Sequence, residues 1–273
     1  MPTLTPVLRG CARTLAALGA CVTLGSAAHA HNVWMMPSST VLSSPQWITV
    51  DAAVSNDLFY FNHFPLALDN LVVVAPDGQQ AEAQNLHRGK LRSVFDLNLD
   101  KPGTWRMTVI NRGLVASYML NGERKRWRGK ADQLSQIPAE ATQVSITESF
   151  GRIETFATVG KPSALKASGE GLELLADTHP NDLFSGEQAV FRLAIDGKPA
   201  AGVEVTVVPG GTRYRNGLND QTMKTDQDGR FSVTWPSAGL YWIEAGAEDA
   251  RTTVPQAGKR RLGYTATVEV LPQ

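Results

Sequence analysis

The chain has 273 residues, 42% of them hydrophobic and 19% charged, a globular composition with room for one large domain or two ordinary ones. Lysine and arginine number 26, as do aspartate and glutamate; Arg9 and Arg13 are the only charged residues before position 31, so the remainder holds 24 basic against 26 acidic side chains. That slightly acidic balance lacks the electrostatic footprint of a nucleic-acid binder.

The first thirty residues read as an export signal. The two arginines precede an uncharged apolar stretch from Thr14 to Gly25, and small residues follow, ending in Ala28-His29-Ala30, an A-x-A cleavage site. The stretch is about a dozen residues, short of the ~20 needed to span a bilayer, and no later segment approaches that length. The expectation is a periplasmic chain beginning at His31, with no membrane insertion after cleavage. A lipoprotein reading of Leu18-Gly19-Ala20-Cys21 competes, but its glycine suits that signal poorly and the apolar run continues past Cys21. Cys11 and Cys21 are the only cysteines, so cleavage after Ala30 leaves neither a disulfide nor a thiolate ligand.

Beyond residue 30 the pattern predicts an all-β protein. In the first half, Trp47-Ile48-Thr49-Val50, Leu71-Val72-Val73-Val74 and the run from Trp105 to Ile110 are strand candidates, punctuated by Asp77-Gly78 and Pro102-Gly103. A short helix is expected over Lys130 to Leu134. The turn-rich stretch 161–169 marks a domain boundary, separating a β-sandwich over 31–165 from a second sandwich over 170–273. In the second half Phe191, Leu193 and Ile195 alternate, then Val203, Val205 and Val207, then Phe231, Val233 and Trp235. Tyr241, Ile243 and Ala245 follow, and Ala266, Val268 and Val270 close the chain. Short alternating strands at this spacing predict an immunoglobulin-like sandwich.

Sequence motifs for common catalysis are absent: there is no G-x-S-x-G elbow, P-loop, dinucleotide fingerprint or H-E-x-x-H, so the reading is of a protein that is not an enzyme. Thr225-Asp226-Gln227-Asp228-Gly229-Arg230 suggests calcium only until Lys224 is seen where an EF-hand needs an oxygen ligand; a tight turn using Gly229 explains it. The basic run GERKRWRGK, 122–130, reads either as a phosphate-contacting surface or as a charged edge strand that discourages pairing.

Four histidines remain after cleavage. His87 sits among loop residues, His63 lies in the aromatic FYFNHFP, and His179 is held extended by Pro180 with Asn181 and Asp182 nearby. His31 would differ from all of them, because its free α-amine and its own Nδ1 can close a chelate on one ion. Free α-amines titrate near 7.7 to 8.0, so a divalent metal displaces that proton at modest cost. Such nitrogen donors suit nickel, cobalt, copper or zinc, and Met35 and Met36 offer thioethers, one expected in the core and the other outside.

The segments AHAHNVWMMPSS, RSVFDLNLDKPGTWRM, LELLADTHPNDLFSGE, DGKPAAGVEVTV, TDQDGRFSV and GYTATVEVLP resemble a bacterial periplasmic domain-of-unknown-function family often labelled as the periplasmic component of nickel or cobalt uptake. The similarity covers nearly the whole processed chain and implies two β-sandwich domains. It implies metal-ligand roles for His31, His179 and His63, a nickel or cobalt ion as cargo, and a membrane metal transporter or outer-membrane receptor as partner. Two alternatives are a copper-handling protein with the same N-terminal chelate, and an adhesive module binding carbohydrate or protein in which the histidines are incidental. Mass spectrometry of the exported protein checks the first premise: an unmodified chain beginning at His31 is expected, and an acylated Cys21 would remove the chelate.

Overall fold

The computed structural model describes residues 32–273; the expected signal segment and His31 lie outside the described residues. The described strands begin with β1 (Asn32–Pro37), β2 (Val41–Leu42), β3 (Gln46–Ser55), β4 (Phe64–Pro65), β5 (Leu71–Val74), β6 (Gln80–Ala81), β7 (Gln84–Arg88) and β8 (Ser93–Leu99). Two long strands, β9 (Gly103–Leu120) and β11 (Thr142–Val159), flank β10 (Glu123–Gly129). The rest are β12 (Leu172–Ala176), β13 (Gln188–Ile195), β14 (Lys198–Pro199), β15 (Glu204–Pro209), β16 (Gln221–Lys224), β17 (Arg230–Thr234), β18 (Gly239–Asp249) and β19 (Lys259–Val270). The expected helix is a 3-10 helix over Ala131–Gln136, between β10 and β11.

The fold is all-β, with the expected pair of sandwiches, the second immunoglobulin-like. Their strands form three sheets. A ten-stranded central sheet runs β16-β15-β18-β19-β11-β9-β5-β6, with β10 added to β9 and β2 to β11. A five-stranded sheet, β1-β3-β8-β7 with β4 beside β3, covers the β9–β5 end, and a four-stranded sheet, β12-β13-β14 with β17 beside β13, covers the β18–β15 end. Strand register fixes the faces. Val109, Ile153 and Thr265 are partners in one row, while Thr108, Glu154 and Ala266 are partners in the next. Since side chains alternate along a strand, Val109 and Ile153 point to the first core and Ala266 to the second. The two covering sheets therefore lie on opposite faces of the central one.

Residues that alternate in the second half fill the second core, and the first-half strand candidates supply the first. Phe191, Leu193, Val205, Val207, Val233, Trp235, Tyr241 and Ile243 are buried in the second, and Ile48, Val50, Trp105, Met107 and Val109 in the first. A third cluster of Trp34, Ala53, Leu58, Val208 and Trp242 joins them. Met35 is buried in the first core, but Met36 is not outside as one of the pair was expected to be: it packs against that third cluster because the second sandwich covers the outer side of β1. Gly229 has φ +75° and a Cβ there would meet the Leu193 carbonyl at 2.4 Å, so the 225–230 segment is the tight turn expected.

Strands from the two halves of the chain interleave in the central sheet. β11, from the first half, pairs in parallel with β19, from the end of the chain, over Thr147–Thr155. The residue 161–171 stretch lies along the same junction: Arg106 donates to the Lys166 carbonyl (2.9 Å), Arg152 to Ser168 Oγ (2.7 Å), and Glu173 accepts from the Gly169 amide (2.8 Å). Beneath it, Glu154 (1% exposed) accepts from Arg152 (3.2 Å), Thr108 (3.1 Å) and the Tyr264 hydroxyl (3.0 Å). Burial beside that carboxylate pushes the Tyr264 phenol well up, so it stays protonated and donates. Glu154→Ala would strand the buried Arg152 charge, and chemical denaturation should show a loss of about 3–5 kcal/mol, with Tyr264→Phe costing about 1–2 kcal/mol.

Candidate functional site

β1 enters at one end of the first sandwich. Asn32 is in register with Ser55, and its side-chain amide donates to the Asn56 carbonyl (3.3 Å), fixing the chain just after His31 against the loop that follows β3. Polar side chains staple that loop. Asn62 Oδ1 accepts from the Asn56 amide (2.9 Å) and its amide nitrogen donates to Asp57 Oδ2 (2.7 Å). Ser55 Oγ accepts from the Trp34 indole (2.7 Å) and donates to the Asp57 carbonyl (2.6 Å).

Aromatic packing fixes the rest of the loop. Phe59 and Phe61 stand 5.5 and 5.4 Å from the Trp34 ring, and the Arg92 guanidinium lies 4.6 Å above Phe61. Phe59 adopts φ +63°, a left-handed conformation costly for a bulky residue, held here by its packing. His63 is half-buried at the end of this loop, its ring 4.4 Å from Phe64. The second half of the chain reaches the same end: Trp242 Nε1 donates to the Val33 carbonyl (2.9 Å), Arg213 lies 4.7 Å from the Tyr60 ring, and Tyr214 meets Tyr60 edge-on at 6.0 Å. The Tyr60 phenol is raised above its ordinary value, first by its hydrogen bond with Tyr214. No pattern in the chain signals this tyrosine contact, which joins residues from two distant loops.

His179 lies elsewhere. Its Nδ1 accepts from the Asn181 amide (3.1 Å), so the neutral ring carries its proton on Nε2 and donates it to Thr104 Oγ1 (2.9 Å). Thr104 in turn reaches Thr158 Oγ1 (2.9 Å), and Thr158 donates to Asn181 Oδ1 (2.9 Å), closing a ring of hydrogen bonds. Thr104 opens β9 next to the end of β8, where Leu99 pairs with Gln46, whereas His63 adjoins Phe64, the partner of Val54. Val54 and Gln46 are eight residues apart on β3, on the order of 25 Å. The structure thus does not bring His63 and His179 together. His87, on the outer strand β7, is exposed. Among the described residues no group of three or more His, Asp or Glu side chains converges on a metal position, so His31 would have to supply donors to any site built here.

The family comparison is direct: residues 28–249 match the model described as "Domain of unknown function (DUF4198)". No curated protein matches the chain. Among solved structures, the D0-D1 domain of intimin aligns with a TM-score of 0.22 and 15% identity over 87% of this chain and 97% of its own. The alpha-2-macroglobulin of Escherichia coli aligns with 0.22 and 13% over 89% of this chain but only 16% of its own. The Yersinia pseudotuberculosis adhesin InvE gives 0.20 and 13% over 87% and 58%. Likenesses this distant carry no statement about function.

Burial holds the His179 imidazole below its ordinary value of 6.5. A depressed histidine binds its proton more readily when unfolded, so its contribution is complete above about pH 6.5 and stability falls as pH drops through that value toward the folded one. Melting curves between pH 7 and pH 5 should show a smaller decline in His179→Gln than in the parent protein.

Proposed function

The chain belongs to the DUF4198 family, whose description assigns no activity, and we propose that it is a periplasmic binding protein for a divalent transition-metal ion, nickel or cobalt, which it hands to a membrane transporter. The observation that supports this reading is the anchoring of Asn32 to the Asn56 carbonyl, because it sets the residue after His31 beside the loop carrying Asp57 and His63. Cleavage after Ala30 would leave His31 with an α-amine and an imidazole at that end. With the His63 ring, the donor set would be rich in nitrogen, which suits nickel, cobalt and copper better than calcium or magnesium. Asp57 is oriented by Asn62, the kind of supporting hydrogen bond that holds a ligand carboxylate in place.

Within this reading the roles divide simply. The His31 amine and ring close the chelate, and His63 supplies the second imidazole. The cluster of Trp34, Phe59 and Phe61 makes the loop rigid, so little conformational entropy is lost on binding. Copper is the less supported cargo, since a reduced ion would draw on thioethers while Met35 is fully buried and Met36 is packed against the third cluster. His179 lies outside the proposed donor set.

Competition titration with nickel and cobalt on the processed chain tests the reading. His31→Ala and a one-residue extension before His31 should each weaken binding at least tenfold, about 1.4 kcal/mol, because the extension turns the basic amine into an amide. His63→Ala should weaken it similarly, and His179→Ala should not. Equal affinity in the parent, the extended chain and His31→Ala would sink the proposal.

A further inference from the structure

On the face of the central sheet that carries Val109 and Ile153, the rows beyond the first core are uncovered and basic. β10, β9, β11 and β19 lie side by side there, and register aligns Arg128, Val115, Thr147 and Lys259 in one row. Arg126, Ser117 and Ser145 form the next row, and Gly113, Ser149 and Arg261 lie on the other side. All of these except Gly113 line a groove of about 480 Å³. Its floor is Ser117, Ser145, Thr147 and Ser149 with Val115, and its two walls are cationic. Three strand spacings separate the walls, about 14 Å.

The arginine wall comes from Arg124-Lys125-Arg126-Trp127-Arg128. Alternation along β10 puts Arg124, Arg126 and Arg128 on one face at about 7 Å intervals and turns Trp127 to the other, where its indole donates to Gln136 Oε1 (3.0 Å). Among the described residues, none of the three arginines has an ion pair or a side-chain hydrogen bond. On the opposite wall Lys259 (2.7 Å) and Arg261 (2.8 Å) share the single carboxylate of Glu248, whose pKa those same contacts lower, so the groove keeps an excess of positive charge. Protection of a sheet edge accounts for cations on β10. It cannot account for Lys259 and Arg261, because β19 is an interior strand.

A second shallow depression of about 420 Å³ continues from Ser149 and Arg261 across Gly151, Gly263 and Gly246, which are register partners on β11, β19 and β18. A Cβ on Gly263 would meet nothing within 4 Å. The floor is bare backbone at those glycines, bordered by Glu244 and Glu248, and leads into the channel between the cationic walls.

We propose that this trough binds an extended acidic polysaccharide, with sugar rings lying on the hydroxyl and glycine floor and their anionic groups paired with the arginine and lysine walls. Guanidinium groups make the two-point contacts that phosphate, sulfate or carboxylate accepts. The channel holds no aromatic side chain on which bases could stack, which disfavours a single-stranded nucleic acid. Its floor of short side chains, recessed between walls of long arginine and lysine side chains, disfavours a flat bilayer surface. The proposal is independent of metal binding, since His31 and His63 take no part in it.

Calorimetric titration of the processed full chain with a phosphorylated mannan fragment, the same fragment after dephosphorylation, inorganic phosphate, and vesicles of phosphatidylglycerol in phosphatidylcholine tests it. The phosphorylated glycan should bind, more weakly as salt rises, and the dephosphorylated one should not. Arg126→Gln with Arg128→Gln, and separately Lys259→Gln with Arg261→Gln, should each weaken binding at least tenfold. Arg88→Gln with Lys90→Gln, an equal charge change on the first sandwich, should leave it unchanged. All these side chains are exposed, and unchanged melting temperatures verify folding; if the β19 pair fails to fold, the β10 pair still decides. Unaltered binding in the β10 variant, equal binding of the dephosphorylated glycan, equal affinity for inorganic phosphate, or binding to vesicles without binding to the glycan would each overturn the proposal.

Discussion

The parallel pairing of β11 with β19 is the contact on which the architecture turns. It joins Thr147–Thr155 to Lys259–Thr267, residues more than a hundred positions apart, and merges what would be two separate sheets into one. Parallel neighbours cannot be joined by a tight turn, so the whole second sandwich is the connection between them. Because one continuous sheet serves both cores, each covering sheet takes a different face, and each half of the chain completes the other's packing. Phe150 shows this directly: it lies on β11 yet belongs to the second core.

A junction of this kind needs a buried charge to be well satisfied, and Glu154 meets that need. Its two oxygens collect Thr108 and Arg152 from β9 and β11 and Tyr264 from β19, so all three strands are tied at one point. Arg152 and Arg106 then reach outward to hold the 161–171 stretch against the sheet. A segment rich in turn residues, read from the sequence as a domain boundary, is thereby a fastened strap. Its polar backbone finds partners on charged side chains whose own burial it completes.

The shared sheet also distributes the surfaces that can act. The first sandwich closes at the loop carrying Asp57 and His63, where β1 enters and Trp242 from the second half holds the Val33 carbonyl. The long β9–β11 pair extends past the first covering sheet, and its exposed rows meet β19 to make the basic trough. His179 serves neither surface; its ring closes a hydrogen-bonded circuit with Thr104, Thr158 and Asn181 that pins the start of the second sandwich to the first.

Much of the fold was legible in the sequence because burial in a half-exposed strand imposes a two-residue period. Phe191 with Leu193, Val205 with Val207, and Phe231 with Val233 announced both their strands and their inward faces, and Asp228-Gly229 announced its turn. The Met35–Met36 pair was half legible, since alternation put the two on opposite faces but could not reveal that β1 has neighbours on both sides. His179 became a ligand candidate through the family resemblance, while its two hydrogen-bond partners come from residues 2 and 75 positions away. Arg126 and Arg128 were visible as a charge run, but not their counterparts Lys259 and Arg261. Local periodicity thus determined which residues are strands and which faces are apolar. Only the tertiary structure decided which strands are neighbours, because pairing is set by the packing of distant faces and leaves no period in the chain.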